Sequence, residues 1–262
     1  MPITFLAHQA PVLPLARRWP GKIDGIALAI GTMSPDFAYV VSRTRLMFWA
    51  HTLPAIVWFC VPATLIVSWL IARVLAPVVP DHLPSAGAFH LHDYRGLATH
   101  RFSPLTTMAA AAFGAWTHIV LDAFTHDYGW FAQHVPLYTR PLGAWLFRGA
   151  HWSLYRLGAL GSHFGLSAFS LFLLYRYGKA RWMQDRAALV PRFQPTLQSH
   201  IRLWATTIAI TTPLAIVSQQ GLRDLGAASI LVLRLSASLF VGLCVGAFVT
   251  KRSRRRSLQR SL

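Results

Sequence analysis

The sequence predicts an all-α fold, a polytopic integral membrane helical bundle of about five or six spans. Of its 262 residues, 54% are hydrophobic and only 13% are charged, whereas an ordinary soluble domain has about 25% charged residues. Several apolar stretches also reach the roughly 20 residues that an α-helix needs to cross a bilayer. Both observations favour a chain that lies largely within a membrane.

The N-terminal region is the least regular part of this pattern. Residues 3–18 and 23–34 are apolar, but each stretch is short for a full span, so we expect a re-entrant helical hairpin. The alternative is that Ile23–Val41 crosses the membrane. Pro35 predicts a helix break near the end of that stretch. Such a break is tolerated at membrane depth where it is buried in protein or lines a cavity.

Five clearer spans follow the N-terminal region. They are Leu53–Ala72, Pro104–His126, Leu154–Tyr177, Ile201–Gln219 and Gly226–Thr250. We therefore divide the chain into a first domain that carries a candidate site, a basic loop, two C-terminal membrane helices and a basic tail. The boundaries are 1–177, 178–200, 201–250 and 251–262.

Positive charge is concentrated beside the spans. The formal net charge is +17, and the eight acidic residues are all aspartates. The cations cluster in Arg176–Arg202 and Lys251–Arg260, which is typical of cytoplasmic loops attracted to anionic lipid. We therefore expect a cytoplasmic C-terminus and no binding of nucleic acid. Counting spans back from there places the start of the Leu53 span and the end of the central span on the outer side.

Two other groups of possible ligands are not expected to form sites. The polar segment Arg73–Ser103 contains four histidines, three of them in HLHDYRGLATH. It lacks apolar residues that would fix a metal site, so we expect a solvated loop. Cys60 and Cys244 lie inside apolar spans and belong to no CxxC pattern, which argues against a disulfide or a thiolate metal site.

The central span carries the strongest functional signal. In GAWTHIVLDAFTH, the residues His118, Asp122 and His126 are spaced four apart, so on an α-helix they line one edge. Ionisable side chains among apolar neighbours are costly unless they are paired or bound to a metal. The alternative is that they bond to each other and hold helices together.

We expect a divalent metal site, because imidazole nitrogen and carboxylate oxygen suit Zn²⁺ and similar ions. Asp36 and His51 are predicted on the same side of the membrane as the end of the central span, and His8 joins them if the hairpin forms. The candidate metal ligands are His8, Asp36, His51, His118, Asp122 and His126.

Four sequence blocks carry a resemblance to a known family. MPITFLAHQAPVLPL, GTMSPDFAYV, AHTLP and GAWTHIVLDAFTH occur in this order over roughly residues 1–175. They resemble the bacterial membrane proteins grouped as domain of unknown function 4184. The resemblance implies a location in the bacterial inner membrane, but that family has no established activity to transfer.

A more distant resemblance implies chemistry. The order His, Asp, His and then His-x-x-x-Asp is similar to the zinc core of zinc-dependent phospholipases C and of membrane-bound metal-dependent hydrolases. It implies that Asp36, His51, His118 and Asp122 ligate one zinc, that His8 with Asp122 helps to hold another, and that His126 is a candidate for a further ion. Those phospholipases also use a His-x-x-x-Glu pair, and this chain has no Glu. The pair most similar to it in spacing is His151-x-x-x-Tyr155, which is a poor substitute for the missing carboxylate. We therefore expect one or two metals and not a complete three-metal site.

Two functions from different classes follow from these features. The leading hypothesis is a metal-dependent hydrolase of a phosphoester, such as a lipid head group, with Asp36 as the general base. The alternative is a non-enzymatic membrane carrier or scaffold, whose His and Asp residues bind an ion or pack helices. A carrier would favour two similar halves, and the sequence contains no internal repeat.

Overall fold

In the computed structural model, the regular elements of the chain are helical. The structure describes residues 4–41, 45–84, 87–99, 101–126, 129–142, 153–219 and 227–260. No strand occurs in these ranges. The all-α prediction is therefore confirmed.

Short helices make up the N-terminal region. They are α1 (Thr4–Gln9), α2 (Leu13–Arg18) and α3 (Gly25–Gly31). The break expected near Pro35 is present, because the chain turns there through the 3₁₀ segment Ser34–Phe37. The re-entrant path of this region stays a prediction.

Within the described part of the chain, five helical segments are long and apolar enough to cross a membrane. We label the helices α4 (Leu53–Leu75), α5 (Pro104–Thr125), α6 (Leu154–Lys179), α7 (Leu197–Ser218) and α8 (Ala227–Arg260). These are the five stretches that the sequence predicts, which confirms a polytopic bundle. The last helix does not end with its apolar residues but continues through the basic ones to Arg260.

Shorter segments connect these helices. The α-helical ones are Ala38–Val41, Arg45–Ala50, Val79–His82, Trp130–His134, Pro136–Thr139 and Gln184–Ala188. Two further 3₁₀ segments are Gly87–Phe89 and Leu91–Thr99. Three π-helical turns lie inside the spans: two in α4, at Ile56–Cys60 and Ile71–Leu75, and one in α6, at Gly161–Leu166.

The chain divides into two compact units. Unit 1 contains Ile3–Leu65 and Ser103–Leu173, and unit 2 contains Ile66–Phe102 and Leu174–Leu262. All six candidate ligands belong to unit 1. In unit 2, the main helix pair is α7 with α8, whose Gly246 lies against the Thr207 hydroxyl and the Leu203 carbonyl.

The core of unit 1 is built from small residues that let α3 and α5 approach closely. A Cβ atom at Gly31 would lie 2.5 Å from the Ala111 carbonyl oxygen, and one at Gly114 would collide with the Leu28 carbonyl. At the other end of α3, the Asp24 carboxylate accepts hydrogen bonds from the Ala27 amide and the Thr107 hydroxyl, both at 2.8 Å. The helix is therefore held against α5 at both ends.

The segment Arg73–Ser103, expected as a solvated loop, is instead partly buried within unit 2. Asp93 is 5% exposed, and Arg181 donates to it through Nε and Nη2 at 3.0 and 2.9 Å. Gly96 lies against the backbone of Ala187. The expectation is wrong because Asp93 pairs with Arg181 and Asp81 accepts a hydrogen bond from the Phe193 amide at 2.9 Å, so the segment folds against the basic loop.

Two histidines of this segment are hydrogen-bonded to neighbouring groups of the protein. His82 uses both ring nitrogens, with Nδ1 2.8 Å from the Val78 carbonyl and Nε2 3.1 Å from the Ser199 hydroxyl. His92 Nδ1 lies 2.8 Å from the Pro80 carbonyl. No group of three metal-ligating atoms occurs among its described residues; His100 lies outside them.

The close packing of α3 on α5 can be tested with one methyl group. We expect Gly114→Ala to lower the free energy of unfolding by about 1–3 kcal/mol, because the new Cβ overlaps backbone atoms that cannot move aside. Gly165→Ala is the matched control, since a Cβ there meets no atom within 4 Å. Thermal unfolding of purified protein in detergent measures both. Equal stability of Gly114→Ala and wild type would contradict this packing.

Candidate metal centre

The six candidate ligands come together in unit 1. His8 lies on α1, Asp36 on the Ser34–Phe37 turn and His51 just before α4. His118 and Asp122 lie on α5, and His126 is its C-terminal cap residue. The expected spacing along one helix edge is thus present, and residues distant in sequence complete the cluster.

Asp122 is at the centre of this cluster. Its Oδ2 lies 3.2 Å from His118 Nε2 and 3.8 Å from His51 Nε2. Its Oδ1 lies 3.5 Å from His8 Nε2 and 3.3 Å from His126 Nδ1. One buried carboxylate therefore faces four imidazoles.

Asp36 is the second carboxylate and faces two of the same rings. Its Oδ1 lies 3.3 Å from His51 Nε2 and 3.7 Å from His118 Nε2. Burial alone would raise the pKa of Asp36, but the nearby His118 and the hydrogen bond with His51 outweigh it and lower the pKa below the usual value. Asp36 is therefore an anion at neutral pH.

Asp36, His51, Asp122 and His118 form a ring in which carboxylate and imidazole alternate. The four neighbouring donor distances around it are 3.3, 3.8, 3.2 and 3.7 Å. Ligands of a tetrahedral zinc, at about 2.0–2.1 Å from the ion, lie about 3.4 Å from one another. We call these four residues the His/Asp ring. Neighbouring donors around it are thus spaced as ligands of one small divalent ion are, and Asp36, His51 and His118 lie within 4.8 Å of one another.

The orientation of His118 prepares it to act as a ligand. Its Nδ1 lies 2.7 Å from the Thr32 carbonyl oxygen, and because a carbonyl can only accept, Nδ1 carries the proton. Nε2 faces the carboxylates of the ring and is the atom of His118 that can act as a ligand. A metal-ligating histidine typically donates its other N–H to a carbonyl or carboxylate in this way.

Three buried atoms of the cluster lack the hydrogen bonds that buried polar atoms normally make. His8 Nδ1, His118 Nε2 and Asp122 Oδ1 have no hydrogen-bond partner of good geometry among the described residues. The large majority of buried side-chain polar atoms do have one, and an exception in a native structure calls for an explanation such as a bound ion. The donor set and its unsatisfied atoms thus fit a metal.

Two sets of three ligand atoms within 4.8 Å of one another could hold an ion. They are His8 with His118 and Asp122, and Asp36 with His51 and His118. Both sets use His118, whose Nδ1 already donates to Thr32, so His118 offers a single lone pair. One ion can use it, and a second ion would have to be held without it.

His8 is arranged as a neutral neighbour of the ring. Its imidazole stacks on that of His118 with 3.7 Å between ring centroids. Burial, and then the nearby His118, lower the pKa of His8 to about 3, so the His8 imidazole is neutral at pH 7. The adjacent Gln9 donates to the Thr32 hydroxyl at 2.7 Å and to the Ala29 carbonyl at 3.0 Å, which ties α1 to the end of α3.

His163 belongs to the surroundings of the cluster, and sequence reasoning did not select it. It is buried on the π turn of α6, with its ring centroid 6.0 Å from that of His126. A histidine inside an apolar span was visible in the sequence, but no ligand spacing pointed to it. His151, the residue considered for a His-x-x-x-Glu-like pair, lies outside the described residues.

Comparison with known proteins gives the family. The model of a domain of unknown function (DUF4184) matches residues 1–251. The chain belongs to this family. No curated protein and no solved structure matches it. Membership therefore extends over both units and all six candidate ligands, and it supplies no activity.

The role of Asp122 can be tested by a single isosteric change. We expect Asp122→Asn to leave the protein inserted and folded but to remove most of its bound divalent metal, because an anionic ligand becomes a neutral amide. Even changes around the ligands can lower metal affinity 10–100-fold. Metal content of the purified protein, measured by elemental mass spectrometry, gives the result.

Asp24→Asn is the control for this experiment. Asp24 is equally buried, and its role as the N-terminal cap of α3 is one that asparagine also fills. We expect its metal content to match wild type. A folded Asp122→Asn variant with undiminished metal would make this carboxylate a helix-packing group.

Proposed function

We propose that the protein is a membrane-bound, metal-dependent hydrolase of a phosphoester, with Zn²⁺ as its metal. The observation that carries this proposal is the buried His/Asp ring, in which His51, His118 and Asp122 offer three donors for one ion beside the Asp36 carboxylate, and whose His118 Nε2 is left without a hydrogen bond. A structural cluster would be expected to satisfy its own donors and acceptors.

Charge balance supports a divalent ion in this ring. Two carboxylates, Asp36 and Asp122, lie among the imidazoles of this buried cluster, and a dication bound between them would balance their negative charge. When bound, Zn²⁺ polarises a phosphoryl oxygen as a Lewis acid and lowers the pKa of water towards 7. Phosphoester hydrolysis needs both effects.

The residues of the His/Asp ring have different roles in the proposed reaction. His51, His118 and Asp122 would hold the metal, and Thr32 fixes the orientation of His118. Asp36 directs Oδ1 at the two imidazoles, which leaves Oδ2 to accept a proton from the attacking water as general base. His126 is the most exposed member of the cluster, with a side chain that is 24% exposed, so we place the entry for substrate beside it.

The ends of the spans favour a lipid head group as the substrate. His51 directly precedes α4, and His126 directly follows α5, so the cluster lies where two spans end. Head groups occupy this level of a bilayer. A phosphoester there would reach the site without leaving the membrane surface.

An assay of phosphoester hydrolysis distinguishes the proposed hydrolase from a non-enzymatic carrier or scaffold. We expect purified wild-type protein to release a phosphorylated head group from a short-chain phospholipid or to cleave bis(4-nitrophenyl) phosphate, and a chelator to abolish this. His118→Ala should lower the rate at least 100-fold, because it removes a ligand, whereas Asp24→Asn should not. Metal-loaded wild type that hydrolyses no phosphoester of such a panel would favour the carrier or scaffold.

We also propose that the chain lies in the bacterial inner membrane, with its basic segments at anionic lipid on the cytoplasmic side. α8 carries Lys251, Arg252, Arg254, Arg255, Arg256 and Arg260 after its apolar part. Positive charge next to a span is retained in the cytoplasm.

A C-terminal tag tests this orientation. We expect a tag after Leu262 to be labelled by a membrane-impermeant reagent in lysed cells and to be protected in intact spheroplasts. A tag at Gln133, beyond the end of α5, should behave in the opposite way. Labelling of the C-terminal tag in intact spheroplasts would reverse the whole topology.

A further inference from the structure

Unit 2 contains a cavity whose lining is unusually rich in arginine. Its volume is about 140 Å³, which is room for one small polyatomic anion with water. Three guanidinium groups and one carboxylate line it, and two histidines complete its polar wall. These residues are Arg95, Arg181, Arg192, Asp93, His90 and His92, and we call the cavity the arginine pocket.

Two of the arginines are held in place by bonds that leave part of each guanidinium free. Asp93 receives Nε and one Nη2 hydrogen of Arg181, so the Nη1 group is not needed for that pair. Arg95 donates through Nε to the carbonyls of Ala187 and Val190, and through Nη1 to that of His92. Its Nη2 group takes part in none of these bonds.

The third arginine has no structural task of this kind. Arg192 is exposed and makes no hydrogen bond or ion pair with the described residues. The guanidinium and carboxylate groups of the lining carry three positive charges and one negative charge. Asp81 does not line the pocket, but it lies 3.9 Å from Arg95 Nη1 and offsets one further positive charge. The net charge around the pocket is still positive.

The backbone is strained around this cavity. Among the described residues, three have φ in the left-handed region: Gly87 at +48°, His90 at +45° and Arg181 at +48°. All three line the arginine pocket. Non-glycine residues rarely adopt this conformation, and strain of this type clusters at ligand-binding sites. The fold thus maintains an unfavourable backbone at the place where the arginines converge.

We propose that the arginine pocket binds a phosphate group. Guanidinium groups match phosphate oxygens in charge and in planar, two-point hydrogen bonding, and a phosphomonoester carries the double negative charge that this lining attracts. Arg181 lies two residues beyond the end of α6, which places the pocket where a span leaves the membrane. The phosphate is that of a lipid head group or of a free phosphate. This assignment does not depend on the proposed hydrolase activity.

Binding measurements on the full-length protein in a neutral detergent test the assignment. The two probes are inorganic phosphate and dihexanoyl phosphatidic acid, each titrated by calorimetry. We expect at least one to bind wild type, and Arg192→Gln to weaken that binding about tenfold, the usual worth of a hydrogen bond to a charged group. Binding of the lipid alone assigns a head group, and binding of inorganic phosphate assigns a free phosphate; either supports the pocket.

Arg252→Gln is the matched control, because it removes the same charge from an exposed residue of unit 2 outside the pocket. We expect its affinity to stay within twofold of wild type. Both variants keep every residue of the metal cluster, so phosphate bound there would weaken in neither. Failure of wild type to bind both probes overturns the proposal. So does binding that Arg192→Gln leaves unchanged, or that both variants weaken equally.

Discussion

The close approach of α3 to α5 is the constraint on which unit 1 depends. It requires glycine on both helices, Gly31 and Gly114, since a Cβ at either position would overlap backbone of the other helix. The result is that the last turn of α3 ends directly beside His118. A helix end would otherwise leave the Thr32 carbonyl to water or a cap. Here it accepts a hydrogen bond from His118 Nδ1.

Under the two binding proposals above, hydrogen-bonding capacity gives the two units opposite preferences for ions. Imidazole and carboxylate offer lone pairs, and the His/Asp ring directs them inward at distances that suit a cation. Guanidinium offers only N–H donors, so the Arg181–Asp93 pair of unit 2 is satisfied without any ion, and its remaining donors can meet only acceptors. Both units bury aspartate, but the partner residue type decides which kind of ligand each attracts.

The sequence predicts the spans and one wall of the site well, because both depend on local periodicity. Apolar length identified α4 to α8, and four-residue spacing identified the edge of α5 that carries His118 and Asp122. Asp36 and His51 required counting of span ends and a family resemblance. The role of Thr32 could not be predicted, since it uses a backbone carbonyl. The Arg73–Ser103 segment was wrongly expected to be solvated because its partner Arg181 is 88 residues from Asp93.

The π turn of α6 determines the directions in which the side chains on either side of it point. A π turn corresponds to one residue inserted into an α-helix, and each residue of an α-helix rotates the chain by about 100°. With the insertion, His163 faces His126 while Ser170, further along, donates to the Leu6 carbonyl at 2.6 Å. Loss of a single residue from Gly161–Leu166 would preserve the hydrophobicity of the span and turn one of these two side chains away. The number of residues in this helix therefore fixes the direction in which these side chains point, independently of the hydrophobicity of the span.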